Sequence, residues 1–219
     1  MSRAIGQRSG PVAVDLGLDQ AGLSLLAMLR HLPPNRIATR AGLDTIFVYE
    51  PAGFVASGLA QIRASGLLHD DAIALTDTGL AAIERIHAVS AGVVTEMWAG
   101  QPGADFDRLD VLTADVMAAA ATTGGEAFKV VSPLYAPPGT PTFARVAEAL
   151  TVLRYHRFDA HVAAWRAAGL TADEMQALEP GGRKDAIEAD TNARASAPYV
   201  VLSESERAAL VESLASLPA

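Results

Sequence analysis

Apolar residues recur at helical spacing along most of the chain, interrupted by Pro- and Gly-rich breaks. Asp19 is a natural N-cap for a first helix, in which Leu23, Leu26, Met28, Leu29 and Leu32 fall mostly on one face. Pro33-Pro34 stops it. A short helix is predicted over 36–42, and 45–49 fits either a continuing helix or an extended segment. A further helix is predicted over 51–64, where Pro51 is tolerated in the first turn. Its apolar positions are Phe54, Val55, Leu59 and Ile62, leading into Leu67-Leu68. His69-Asp70-Asp71 reads as a hairpin turn and 73–75 as its return strand. Thr76 or Asp77 then caps a helix that carries Leu80, Ile83, Ile86 and His87 and runs on to Trp98.

Gly100-Gln101-Pro102-Gly103 is the clearest break in the pattern. Beyond it a helix is predicted over 105–121, ended by Thr122-Thr123-Gly124-Gly125. A Pro-rich segment, 132–141, follows and reads as a connector more readily than as a lid over a pocket. The longest helix is predicted over 142–168, with Gly169 as its C-cap. Thr171 caps 172–178, and another helix covers 184–195. Residues 199–202 fit an edge strand or a buried extended segment. Ser203 and Glu206 match a capping box at the start of the last helix. The expected division is a flexible tail over 1–17, a first domain over 18–99 and a helical part over 104–219.

Composition sharpens the fold class and narrows the chemistry. Of 219 residues, 50% are hydrophobic but only 5% aromatic, so the core rests on Ala, Leu and Val, and a mainly α-helical protein is expected. No cysteine is present, which excludes disulfides and thiolate chemistry and fits a reducing, cytoplasmic location. No apolar run approaches the ~18 residues of a membrane span, and the first ten residues lack the apolar core of a secretory signal. No phosphate-loop glycine spacing, serine nucleophile elbow or zinc-protease histidine pair occurs, so no cofactor, metal or catalytic residue is assigned.

Ile37–Leu43, the Gly58–Leu68 helix end and the Leu75-Thr76-Asp77-Thr78-Gly79 exit occur in the order of a winged helix-turn-helix. On these residues the first part resembles the MarR-like winged-helix superfamily. That resemblance implies a small β-hairpin wing, double-stranded DNA as a partner, a small-molecule effector and a homodimer. Base contacts would fall to Ser57, Gln61 and Arg63, and phosphate contacts to Arg36, Thr39 and Arg40. The charges oppose this. The formal net charge is −8, and between residues 20 and 90 five Arg and no Lys stand against six Asp or Glu. The wing tip is Asp70-Asp71, so counterion release from DNA would be small.

The helix over 142–168 places His156 where its apolar stripe calls for Leu, with Asp159 one turn on. A histidine on a core face beside an aspartate needs a reason. Three readings follow: a structural pair inside a helix interface; a pocket in which Tyr155, His156, Asp159, His161 and Trp165 contact a ligand; or a general base or metal site. His156 and His161 point about 140° apart on a helix, which disfavours metal. Leu153-Arg154-Tyr155-His156-Arg157, Asp159–Ala164 and Ala168-Gly169-Leu170 resemble a little-characterised actinobacterial family of helix-turn-helix proteins. In that family this helix precedes the winged helix, whereas here it follows. The leading expectation is a MarR-like regulator or a regulator-derived small-molecule sensor. The alternative is a binding protein or enzyme on a winged-helix scaffold that no longer reads DNA, with its pocket near His156.

Overall fold

The computed structural model describes residues 15–31, 37–98 and 105–217. The chain is mainly α-helical. Its helices are α1 (Gln20–Leu29), α2 (Arg40–Ile46), α3 (Phe54–Ala64), α4 (Asp77–Trp98), α5 (Phe106–Thr123), α6 (Glu126–Val131), α7 (Thr142–Ala167), α8 (Ala172–Gln176), α9 (Gly182–Ala195) and α10 (Glu204–Ala215). Among the described residues no helix is long and apolar enough to cross a membrane.

Local signals fix most boundaries. The Asp19 carboxylate accepts from the Ala21 and Gly22 amides and starts α1. Thr171 with Glu174 and Ser203 with Glu206 form reciprocal capping boxes at α8 and α10. Gly169, at φ 74°, turns the chain out of α7. Four expectations need correction. The short helix starts at Arg40, not at 36, and Thr45-Ile46 continue it. Residues 199–202, expected to be an edge strand or extended, fall largely in a 3-10 turn, Ala197–Val201, with Pro198 near its start. Glu126–Val131, given no element, is helical. No strand occurs among the described residues: the expected wing is one antiparallel bridge, Leu68 to Leu75. The loop between them, with three aspartates or small residues in its tip, is too short of apolar alternation to extend the ladder.

α1 packs across α3, and α7 lies along α5, α6 and α9. At the α1–α3 crossing Gly58 is required by space: a Cβ there would come 2.8 Å from the Ala21 carbonyl oxygen. One hydrophobic core runs through both halves, from Leu25, Leu29, Leu43 and Ile62 to Val116, Phe128 and Val146. A smaller core joins Val162, Trp165, Met175 and Ile187, with Val48 and Phe158 against it. The long helix α7 therefore belongs to both cores and presents its first half to α4.

Candidate functional site

The most polar place in the interior lies where the end of α1, the middle of α4 and the start of α7 meet. Arg30 and His31 leave α1, His87 and Ser90 share one face of α4, and Glu148 projects from α7. All five are buried. Arg30 donates one guanidinium N–H to Ser90 Oγ at 2.6 Å, and its other terminal nitrogen is 3.2 Å from Glu148 Oε1. His31 Nδ1 stands 3.2 Å from Glu148 Oε2, within ion-pair range but not aligned for a hydrogen bond. His87 Nε2 donates to the Arg30 carbonyl at 2.8 Å, since a carbonyl can only accept. A buried charge needs such pairing to be tolerated at all.

Burial alone would raise the Glu148 pKa, but the contact with His31 and the positive charge of Arg30 outweigh it and bring it down to about 2. Burial pushes His31 below its usual value despite the carboxylate beside it, with the Arg30 charge adding to the fall. Burial does the same to His87, against the pull of Glu148 and of its bond to the Arg30 carbonyl. At neutral pH the group thus holds one cation, one anion and two neutral imidazoles.

This group forms one side of a cavity of about 370 Å³. His87, Ser90 and Glu148 line it together with Glu84, Ala88, Ala91 and Val94 of α4, Ala144 of α7 and residues 135–141. The Pro-rich segment is therefore a cavity wall as well as a connector. The Tyr135 ring meets the His87 ring edge-on, centroids 5.9 Å apart. The segment is held in place by Thr140, whose N–H and hydroxyl both donate to the Pro137 carbonyl, and by Arg145, which donates to the Thr140 carbonyl at 3.0 Å. Arg145 is itself fixed by a 2.6 Å ion pair to Asp110.

The five ligand-site residues expected from the sequence do not gather around one cavity. His156 Nε2 is 2.9 Å from Thr123 Oγ1, and its ring stands edge-on to Phe128. Burial lowers its pKa, and the Asp159 charge opposes that. Asp159 accepts from the Ala127 and Phe128 amides at 3.0 and 2.8 Å and so caps α6. Burial raises its pKa and these amides hold the rise back. His161 Nδ1 is 3.2 Å from Thr191 Oγ1 and 3.6 Å from Glu188. Burial lowers its pKa as well. Tyr155 is half-buried under the Arg154 guanidinium. Trp165 lies in the smaller core beside Tyr49. Of the five, His156 borders a shallow cavity of about 270 Å³ with Arg157, Asn192 and Tyr199. Among the described residues no group of His, Asp or Glu could hold a metal ion.

The residues expected to face DNA are engaged within the chain. Thr39 caps α2 by accepting from the Gly42 amide. Arg40 pairs with Asp44 at 2.8 Å. Gln61 donates to Asp19 at 2.7 Å and to Ser57 at 3.2 Å, and accepts from the Asp19 amide. Arg63 donates to the His69 carbonyl at 3.2 Å. Arg36 lies outside the described residues. The exposed positions within α3 are Ala56, Ser57, Ala60 and Ala64, of which Ser57 alone can hydrogen-bond through its side chain.

Sequence reasoning passed over Arg30, His31, Ser90, Tyr135 and Glu148 as site residues. The usable signal was polar residues on apolar faces: Glu148 lies between Ala147 and Ala149, and Arg30-His31 follows four near-continuous apolar residues. No family model, curated protein or solved structure matches this chain.

Proposed function

We propose that this chain is a small-molecule-binding protein on a winged-helix-like scaffold, a regulator-derived sensor whose ligand occupies the cavity between α4, α7 and residues 135–141. The observation that carries the reading is the buried Arg30–Glu148–His31–His87 group, three of whose neighbours or members, His87, Ser90 and Glu148, line a cavity of about 370 Å³. That volume is in the range of small-molecule sites, roughly 300–1,000 Å³, and a mostly apolar wall with a few convergent polar groups is their usual construction.

The winged-helix part of the reading is supported by element order and by two backbone contacts. α1, α2, α3, a hairpin and α4 succeed one another, Leu68 bridges Leu75, and the Ala38 amide donates to the Ile73 carbonyl at 2.9 Å. Three segments thus meet where a wing sheet would form. The DNA-reading form of a MarR-like protein is less well supported, because α3 offers alanines outward and the wing tip is acidic.

The test is a thermal-shift screen of small molecules against the wild type and Ala91→Phe, which places a phenyl ring into the cavity. A ligand at about 100 times its Kd stabilises by about 2.7 kcal/mol. Ligands whose shift disappears in Ala91→Phe support the reading. A screen in which every shift survives that substitution refutes it.

A further inference from the structure

The cavity's own chemistry narrows what it takes. We propose that its ligand is a small organic cation, a protonated amine on a compact apolar body, with the ammonium held among Glu84, Glu148 and Nδ1 of His87. This rests on the ligand-binding reading above and adds the ligand's class to it.

Three observations converge. First, among the described residues the charged side chains of the lining are Glu84 and Glu148, and no Lys or Arg belongs to it. Arg30 is turned to Ser90 and to the carboxylate of Glu148, so it neutralises the floor without offering a free cation. An anionic ligand would meet the uncompensated Glu84 carboxylate, and a Glu148 whose cation is already engaged, with no free cation among the described lining residues. Second, the polar groups offered are acceptors. His87 spends its N–H on the Arg30 carbonyl, so Nδ1 carries a lone pair, and among the described residues nothing donates to it. Glu148 has about four acceptor sites, yet its contacts with Arg30 and His31 are 3.2–3.4 Å long. Charge-assisted bonds run nearer ~2.8 Å, so this carboxylate retains capacity for a further donor. An ammonium brings three donors and a charge of the right sign. Third, the rest of the wall suits an apolar body: Ala88, Ala91, Val94, Ala144 and the prolines, with the Tyr135 ring adding an aromatic surface that favours a cation.

Glu84 is the residue to perturb. It is exposed, on the same face of α4 as His87 and Ala91, so its loss does not threaten the core. Glu148→Gln would leave Arg30 without its anion, and the loss of stability would confound any change in ligand class.

The experiment uses two matched triplets as probes: benzylamine, benzyl alcohol and benzoate; and cyclohexylmethylamine, cyclohexylmethanol and cyclohexanecarboxylate. Each is titrated at pH 7 into the full chain by ligand-observed NMR, in the wild type, Glu84→Gln and Ala91→Phe. The amines are expected to bind more tightly than their alcohols and carboxylates, to lose binding in Ala91→Phe, and to weaken about two- to five-fold in Glu84→Gln, the size of an exposed charge contact. Carboxylates that outbind the amines, with Ala91→Phe abolishing them, overturn the cation and leave the cavity as a ligand site. Amine binding indifferent to both substitutions overturns the cation site as placed. No cavity-dependent binding by any of the six overturns the ligand class, while the binding function stands or falls separately on whether the thermal-shift screen finds ligands lost in Ala91→Phe.

Discussion

Replacing Glu148 by Gln tests whether the buried charge group holds α1, α4 and α7 together. The substitution keeps the shape and removes the anion, leaving the buried Arg30 guanidinium with Ser90 and an uncharged amide oxygen as side-chain partners. Two routes give the magnitude. A carboxyl carried from 4.5 to about 2 is favoured in the folded state by about 3 kcal/mol, as an upper figure, because part of the pull comes from histidines that are neutral at pH 7. Breaking a buried ion pair by removing one partner costs about 3–5 kcal/mol. The expected loss at pH 7 is therefore about 3 kcal/mol by urea denaturation. The double variant Arg30→Met with Glu148→Leu, which removes both charges, should recover most of it. The pH dependence has a definite sign. Glu148 has a depressed folded pKa, so its contribution is present above about 4.5 and is lost as pH falls towards about 2. His31 and His87, also depressed, cost stability once pH drops below their unfolded value of 6.5, because the unfolded chain takes up protons first. The wild type should weaken progressively from pH 6.5 downward, and Glu148→Gln should show a shallower fall below pH 4.5. A Gln variant within about 1 kcal/mol of wild type at pH 7, or a double variant equal to the sum of its singles, would refute the argument.

Asp159→Ala should remove the cap on α6 and expose two amides without partners, costing about 1–2 kcal/mol in urea while leaving cavity ligands bound as before. Gly58→Ala should cost about 1–3 kcal/mol, since its methyl meets the Ala21 backbone and not a side chain that can turn away, and a Tm equal to wild type would contradict the close α1–α3 crossing. Fluorescence anisotropy with a duplex from the chain's own upstream region, scanned from about 20 to 200 mM salt, should show no steep salt-dependent binding. A loss of ten-fold or more across that range would restore the DNA-reading form.

What the sequence disclosed follows interaction range. Asp19, Thr171 with Glu174, and Ser203 with Glu206 act within one turn, so spacing alone located three helix starts. The run to Trp98 in α4 was visible because its buried positions keep one period over 22 residues. α6 was not visible, because six residues between Gly125 and Ser132 are too short to establish a period, and the side chain that caps it lies 32 positions away at Asp159. The oddity of His156 and Asp159 could be seen in the sequence, but their partners could not. Their partners are Thr123 and the α6 amides, so the two side chains tie α7 to the α5–α6 turn without bonding each other. The cavity group was hidden for the same reason: Arg30 meets Ser90 across 60 positions and Glu148 across 118.

That separation bears on how the two halves of the chain depend on each other. α1 is the shared element. One side of it accepts α3 at Gly58, and its N-cap Asp19 holds Gln61, the residue best suited by type to read an adenine. Its far end carries Arg30 and His31 into the cavity group. A ligand that competes for Glu148 would act on Arg30 and so on the end of the helix against which α3 is packed. Here Gln61 is bonded back to Asp19 and the outward face of α3 is alanine. A ligand bound as proposed would, through these same contacts, bear on the packing of α1 on α3, whose exposed face offers a base pair only the Ser57 hydroxyl as a side-chain hydrogen-bonding group.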